Sequence, residues 1–366
     1  MNVKKNLTTK ETFTLALQHQ KKNNFKIAEK LYEEILKIDS KYAGAHNNLG
    51  VIFRALGKLQ KAISCYEKVI QIHPNHAGAH YNLGMVFNEL GKPKKAISCY
   101  EKAIKIDPNY SDAYWNLHSL ASDIDEVLPI LKKLHNINNK FLKAKIMISA
   151  LQGFKGNFND FDALIASSES NHPLIRSIKW VFSLPKLPKI FFNRWSFFDA
   201  VIALAEKSRP FYEFGVWYGV SFQYLINSFK KGFGFDTFTG LPEDWHDEHA
   251  GTYSSFGSVP KIIGGEFIAG KFEDTLPKFF SQKRPLASLI NFDCDLYSST
   301  LCALNYANKV IDEKSILIFD QFLTNKHWEK DAYKALHEFC HNFNMSYDVL
   351  AVSFYSKQVA IKLKKN

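Results

Sequence analysis

At 366 residues, with 46% hydrophobic and 23% charged residues, the chain is long for a single core and reads as two globular domains rather than a disordered or fibrous chain. No run of about eighteen apolar residues is present, which argues against a membrane-spanning helix, and MNVKKNLTTKETF carries lysines without the apolar stretch of a secretory signal. The formal net charge of +11 is scattered over helical faces rather than massed in one patch, so nucleic acid is not an expected partner, and five cysteines without a C-x-x-C pair fit a reduced, cytoplasmic setting.

The first half repeats. AHNNLGVIFRALGKLQKAISCYEKVIQIHPN begins at Ala45, and AHYNLGMVFNELGKPKKAISCYEKAIKIDPN begins 34 residues later at Ala79. Ala28, Ala62 and Ala96 share a phase, as do Tyr32, Tyr66 and Tyr100, Gly50 and Gly84, and Gly57 and Gly91; Pro74 and Pro108 close two of the units. Each unit reads as two amphipathic helices, with apolar residues three and four apart. One such unit cannot bury its apolar face alone, but a stack can. The pattern resembles the tetratricopeptide repeat, with units at 11–44, 45–78 and 79–112 in a repeat domain spanning 1–112. A degenerate helical stretch at 113–182 reads as a cap. The resemblance implies a protein or peptide partner in a concave groove, where Asn48 and Asn82 fall. An amide there can hold an extended peptide backbone or serve as an ordinary structural polar group, and both readings stand.

The pattern changes near residue 183. Pro185 and Pro188 in SLPKLPKIFFNRW disfavour a helix, so 183–204 reads as a linker and lead-in helix. From 205 to 366, short apolar segments alternate with helical ones. Strands are expected near 210–214, 232–236, 263–269, 287–293, 315–320, 347–353 and 358–363. That alternation predicts a Rossmann-like α/β domain with a seven-stranded, mostly parallel sheet. The last two strands pair as a hairpin around residues 356–358, making the final strand antiparallel.

PFYEFGVWYGVSFQYL places Glu213, Gly215 and Gly219 on a turn from the first of these strands into a helix that Ser221 opens. Glycines suit a turn where backbone approaches a ligand, and equally a tight strand–helix turn without one. GFGFDTFTGLPEDW then sets Asp236, Thr237 and Phe238 about twenty residues on, where an acidic side chain can take both hydroxyls of a ribose. GKFEDTLPKF brings Asp274, a candidate for the adenine amine or a helix cap. ASLINFDCDLYSST and SILIFDQF place Asp293, Asp295 and Asp320 at the carboxyl ends of two strands, the edge at which open α/β sheets bind ligands. Three carboxylates there repel one another unless protonated or shared with a cation.

In this order and spacing, GFDTFTGLPEDW, GKFEDTLP, FDCDLYSST and IFDQF resemble the class I methyltransferases that include the macrolide and aminocoumarin sugar O-methyltransferases. The resemblance implies S-adenosylmethionine (SAM) as methyl donor, with Glu213, Gly215, Gly219, Ser221, Asp236, Thr237, Phe238 and Asp274 as its contacts. It implies a hydroxyl acceptor, often on a saccharide, Asp293 as general base, and frequently a magnesium-type ion held by Asp293, Asp320 and the residue after it. That last position is Gln321, which brings an oxygen but no charge. The segment 241–262 reads as a lid, whose His246 and His249 could meet the acceptor but read rather as exposed loop histidines; His327 and Trp328 could wall an acceptor pocket or simply pack. Two further expectations are open: an interaction scaffold with a vestigial methyltransferase fold, and a protein methyltransferase whose repeats capture peptide.

Overall fold

The computed structural model describes residues 7–366, which divide into two compact units. The first ends at Leu120 and also takes Asn136–Asn138; the second comprises Ala121–His135 and Asn139–Asn366.

The first unit is a run of helix hairpins: α1 (Thr9–Lys21) with α2 (Phe25–Ile38), α3 (Ala43–Ala55) with α4 (Leu59–Ile72), and α5 (Ala77–Glu89) with α6 (Pro93–Ile106), followed by α7 (Ser111–His118). The 34-residue phase holds, with each hairpin opening two residues earlier than the sequence frame. The invariants of the pattern are packing devices. Tyr32, Tyr66 and Tyr100 are fully buried, as are Ala28, Ala62 and Ala96. A methyl group on Gly50 would lie 2.6 Å from the Tyr66 ring, and one on Gly84 2.6 Å from the Tyr100 ring, so these glycines are notches for the tyrosines. Gly57 and Gly91 follow the first helix of their hairpins at φ 64°, and Asn23, in the same phase of the first hairpin, takes that left-handed role at φ 57°.

The segment read as a cap divides. α7 lies in the repeat unit, whereas α9 (Leu142–Phe154), α10 (Asn159–Ile165) and α11 (Pro173–Phe182) lie in the second unit; α8 (Ile124–Ile137) runs across the boundary. The second unit continues with β1 (Lys189–Phe191), α12 (Arg194–Leu204), β2 (Phe211–Phe214), α13 (Val220–Phe229), β3 (Gly232–Asp236), β4 (Gly265–Ala269), α14 (Phe272–Phe279), β5 (Leu289–Phe292), α15 (Tyr297–Ala307), β6 (Ile316–Phe319), α16 (Ala332–Asn342), β7 (Met345–Ser353) and β8 (Gln358–Lys365).

These strands form one mixed sheet of eight in the order β1-β7-β8-β6-β5-β2-β3-β4, in which β8 runs antiparallel to both neighbours and every other pairing is parallel. The expected seven strands become eight. Pro185 and Pro188 do exclude a helix, but the three residues beyond them add to the sheet as β1 alongside β7. A strand that short carries no readable period, and its pairing is decided by the tertiary edge it meets.

β2, β5 and β6 are buried on both faces, as the central strands of a covered sheet should be. Phe211 packs with Phe222 of α13, and α12 adds Trp195, Phe197 and Phe198 to that side; Tyr212, Phe233 and Phe235 meet Phe279 of α14 on the other.

Candidate functional site

Four phenylalanines set the level of the strand ends. Phe235, Phe214, Phe292 and Phe319 are register partners on β3, β2, β5 and β6. Their rings stack in sequence at centroid separations of 4.8, 5.3 and 4.8 Å, with planes within 15° of each other. The residue after each therefore lies on one row along the carboxyl edge: Asp236, Gly215, Asp293 and Asp320. Strand order reverses between β2 and β5, since the chain leaves β2 toward β3 and β4 and crosses back to β5. The crevice of an open α/β sheet forms at such a point.

Gly215, at φ +87°, is packed against the loop across that crevice. A methyl group there would lie 1.9 Å from the carbonyl oxygen of Asp293, so only glycine lets the two loops approach. Gly219, at φ +76°, caps α13 and lies beneath Pro260 and Ile262. Between them, Trp217 adopts φ 51°, and its indole N–H is buried without an acceptor.

Asp236 is bound to this turn. The N–H groups of Val216 and Trp217 both donate to its Oδ2 at 2.7 Å, and Phe238 N–H donates to Oδ1 at 2.7 Å. With the Thr237 hydroxyl also 3.5 Å from Oδ1, its roughly four lone-pair positions are largely used inside the protein. Thr237 donates its hydroxyl to the Gly240 carbonyl at 2.7 Å, and Phe238 is buried in the core. Glu213 is fully buried within β2 and faces inward: its Oε1 accepts from Asn291 Nδ2 at 2.7 Å. Burial pushes its pKa up to about 7, more than the Asn291 amide, the Ser221 hydroxyl and the Arg194 charge pull it down. Glu213 and Ser221 thus tie β2, β5 and α13 together. Asp274 is exposed in the first turn of α14, whose cap residue is Lys271, so Asp274 is not the cap itself.

The acidic centre does assemble. Asp293, Asp295 and Asp320 each bring a carboxylate oxygen within 4.8 Å of the others. Burial and the neighbouring Asp320 raise the Asp293 pKa well above the carboxylate range despite Arg194, and burial and Asp320 push Asp295 up to about 8. One cation pairs with them directly and a second acts from farther off. Arg194 Nη2 donates to Asp320 Oδ1 at 2.9 Å, and its Nη1 lies 3.9 Å from Asp293 Oδ2. Lys357 interacts electrostatically with Asp320 and Asp295. Gln321, at φ 50°, is engaged elsewhere: its Oε1 accepts from Asn325 Nδ2 at 3.0 Å, and Asn325 Oδ1 accepts from Lys357 Nζ at 2.9 Å.

Sequence reasoning missed Arg194, Lys357 and Asn325. Arg194 had a signal, being the one charge in the apolar run IFFNRWSFF. Lys357 had none, because a lysine in a hairpin turn is ordinarily a solvated residue.

The segment 241–262 contains no helix or strand but is tied down. Leu241 and Gly251 exchange backbone bonds with the Thr252 and Leu241 carbonyls, Ser298 donates to Glu243, and His246 Nε2 lies 2.8 Å from Asp331 Oδ2. His246 is thus a fastening rather than a free loop histidine, while His249 is exposed. Trp328 is buried against Trp180 and Tyr333, which makes it a packing residue.

In the repeat unit three asparagines form a ladder. Asn82 Nδ2 donates to Asn47 Oδ1 at 3.1 Å, Asn116 Nδ2 donates to Tyr81 Oη at 3.0 Å, and Asn48 Nδ2 donates to Tyr32 Oη at 3.1 Å. Asn48, Asn82 and Asn116 share the 34-residue phase, so each amide bonds to the preceding hairpin.

A tetratricopeptide-repeat family model matches residues 41–109. The N-terminal region is a tetratricopeptide-repeat array, a class of module that binds proteins or peptides. No curated protein matches the chain. Similar solved structures include MamA, at 24% identity over 40% of this chain and 86% of that one, with a TM-score of 0.36. YrrB, described as a TPR protein with an unusual peptide-binding site, is 19% identical over 43% of this chain and 86% of its own, with a TM-score of 0.37. Pseudomonas aeruginosa PilF is 19% identical over 48% and 84%, with a TM-score of 0.41. Among the described residues no helix is long and apolar enough to cross a membrane.

Proposed function

We propose that the repeats recruit a protein or peptide partner and that the sheet unit is a SAM-dependent O-methyltransferase acting on a hydroxyl of a saccharide or sugar-bearing molecule. The observation that carries the catalytic half is the row Asp236, Gly215, Asp293, Asp320, held at one level by the stacked phenylalanines across the point where strand order reverses. The antiparallel final strand accords with it. One feature suits the donor: the Trp217 indole N–H, on the turn between Gly215 and Gly219, lacks an acceptor. A ribose hydroxyl would compete with the Thr237 hydroxyl for the remaining position on Asp236 Oδ1.

SAM supplies a methyl group already activated by its sulfonium charge. The protein's task is then the acceptor, whose hydroxyl is a poor nucleophile until its proton leaves. Asp293 lies beside the turn and takes that proton as the hydroxyl oxygen bonds to the methyl carbon and the carbon–sulfur pair returns to sulfur. A positioned carboxylate of this kind contributes about 10²–10⁴-fold.

Calorimetry with SAM and its demethylated product on the full chain tests this reading. Binding is expected, Asp236→Asn should weaken it, and Asp293→Asn should keep binding and abolish transfer. Absence of heat from well-folded protein would leave the second reading, a recruiting scaffold with a vestigial methyltransferase fold. The family match confined to the repeats favours that reading, as does the use of Asp236 by its own turn.

A further inference from the structure

The acidic row already holds a cation of the protein's own. One guanidinium spans Asp320 and Asp293, the two aspartates that the sequence resemblance gives to a divalent ion. Its position is set by the fold. Arg194 is the first residue of α12, Asn193 caps that helix by accepting from Ser196 N–H at 2.8 Å, and Trp195, Phe197 and Phe198 are locked in the core. Lys357 adds a second positive charge. The oxygen of Gln321, which could have completed a ligand set, accepts from Asn325 instead.

A divalent ion of the magnesium type needs carboxylate oxygens at roughly 2.0–2.6 Å. Here the oxygen of Asp320 already accepts from a fixed guanidinium, and an ion entering between Asp293 and Asp320 would meet that charge at close range. A guanidinium has five N–H donors, and those not used by Asp320 can hold an acceptor oxygen.

We propose that Arg194 occupies the place of the divalent ion, so that the acidic row is a metal-independent site in which Arg194 positions the acceptor hydroxyl for Asp293. The positioning role rests on the methyl-transfer reading; the exclusion of the ion does not. Manganese binding, followed by electron paramagnetic resonance and by thermal melts in manganese and in chelator, tests it on the full chain. The wild-type chain should show no saturable Mn²⁺ site and the same melting temperature in both conditions. Arg194→Met should gain one Mn²⁺ per chain, and Arg194→Met with Asp320→Asn should lose it again. Stoichiometric Mn²⁺ on the wild-type chain that disappears in Asp320→Asn overturns the proposal, as does a folded Arg194→Met that gains no site. Should Arg194→Met fail to fold, the wild-type and Asp320→Asn titrations still decide. SAM calorimetry on the same samples is independent: no heat there removes the transfer reading and leaves the metal result standing.

Discussion

The rings of Phe292 and Phe319 stack at 4.8 Å with their planes 9° apart, and the aspartates that follow them, Asp293 and Asp320, stand side by side as a consequence. Placement of the candidate base is thus a property of the core one residue behind it. Phe292→Ala should cost about 3–5 kcal/mol, the range for emptying a buried aromatic site. Urea unfolding of the sheet unit measures this. Because the chain has two units, the transitions should be followed by probes specific to each rather than fitted as one. Phe292→Leu should keep the unit folded while loosening the row, so any Asp293-dependent activity should fall more than stability does.

Glu213 makes stability pH-dependent in a stated direction. Its folded pKa of about 7 lies above the ordinary 4.5. The neutral acid is therefore favoured in the folded state. Its contribution is fully present below about pH 4.5 and is lost as pH rises through 7. Both Glu213 Oε2 and Asn291 Oδ1 are buried without a partner, and a proton on the acid suits that arrangement. Glu213→Gln carries no such charge, so its stability relative to wild type should improve by about 2 kcal/mol between pH 5.5 and 8.5. Thermal melts at the two pH values check this; a parallel shift of both proteins would show that Glu213 does not titrate in the fold.

The fastening of the 241–262 segment at His246 should be local. His246→Ala removes one bond to the buried Asp331. Amide exchange across Leu241–Thr252 should speed by about tenfold, the equivalent of roughly 1.4 kcal/mol, while the melting temperature barely moves. Unchanged exchange in that stretch would assign its order to other contacts.

For the repeat unit, Asn82→Ala should lower stability by about 0.5–1 kcal/mol, because Asn47 loses its inter-hairpin donor. Denaturant unfolding followed in the helical unit reads this directly. A variant as stable as wild type would free the asparagine ladder for partner contact.

Much of this was legible in the chain. The 34-residue phase gave the six helices of three hairpins, since the small residues and tyrosines that define it are the packing contacts themselves. The strand ends were legible too, as Phe-Gly and three Phe-Asp pairs at the edges of apolar runs. What could not be read was long-range. Asp236 reads as a ribose contact, but its Oδ2 also accepts from two backbone N–H groups about twenty residues earlier in the chain. Arg194 looked like part of a linker, yet it reaches an aspartate 126 residues away. Nothing local in a sequence encodes which loop an acidic side chain will meet across a sheet.

The short strand β1 carries a practical consequence for dissecting the molecule. It covers one side of β7, and the helix after it supplies both core aromatics and the guanidinium of the acidic row. A fragment begun at residue 205, where strand–helix alternation becomes obvious by eye, would leave the nine-residue β7 as a bare sheet edge, an invitation to edge-to-edge association. It would also discard Arg194. A fragment begun ahead of Pro185 keeps the strand, its guarding prolines and the internal cation together.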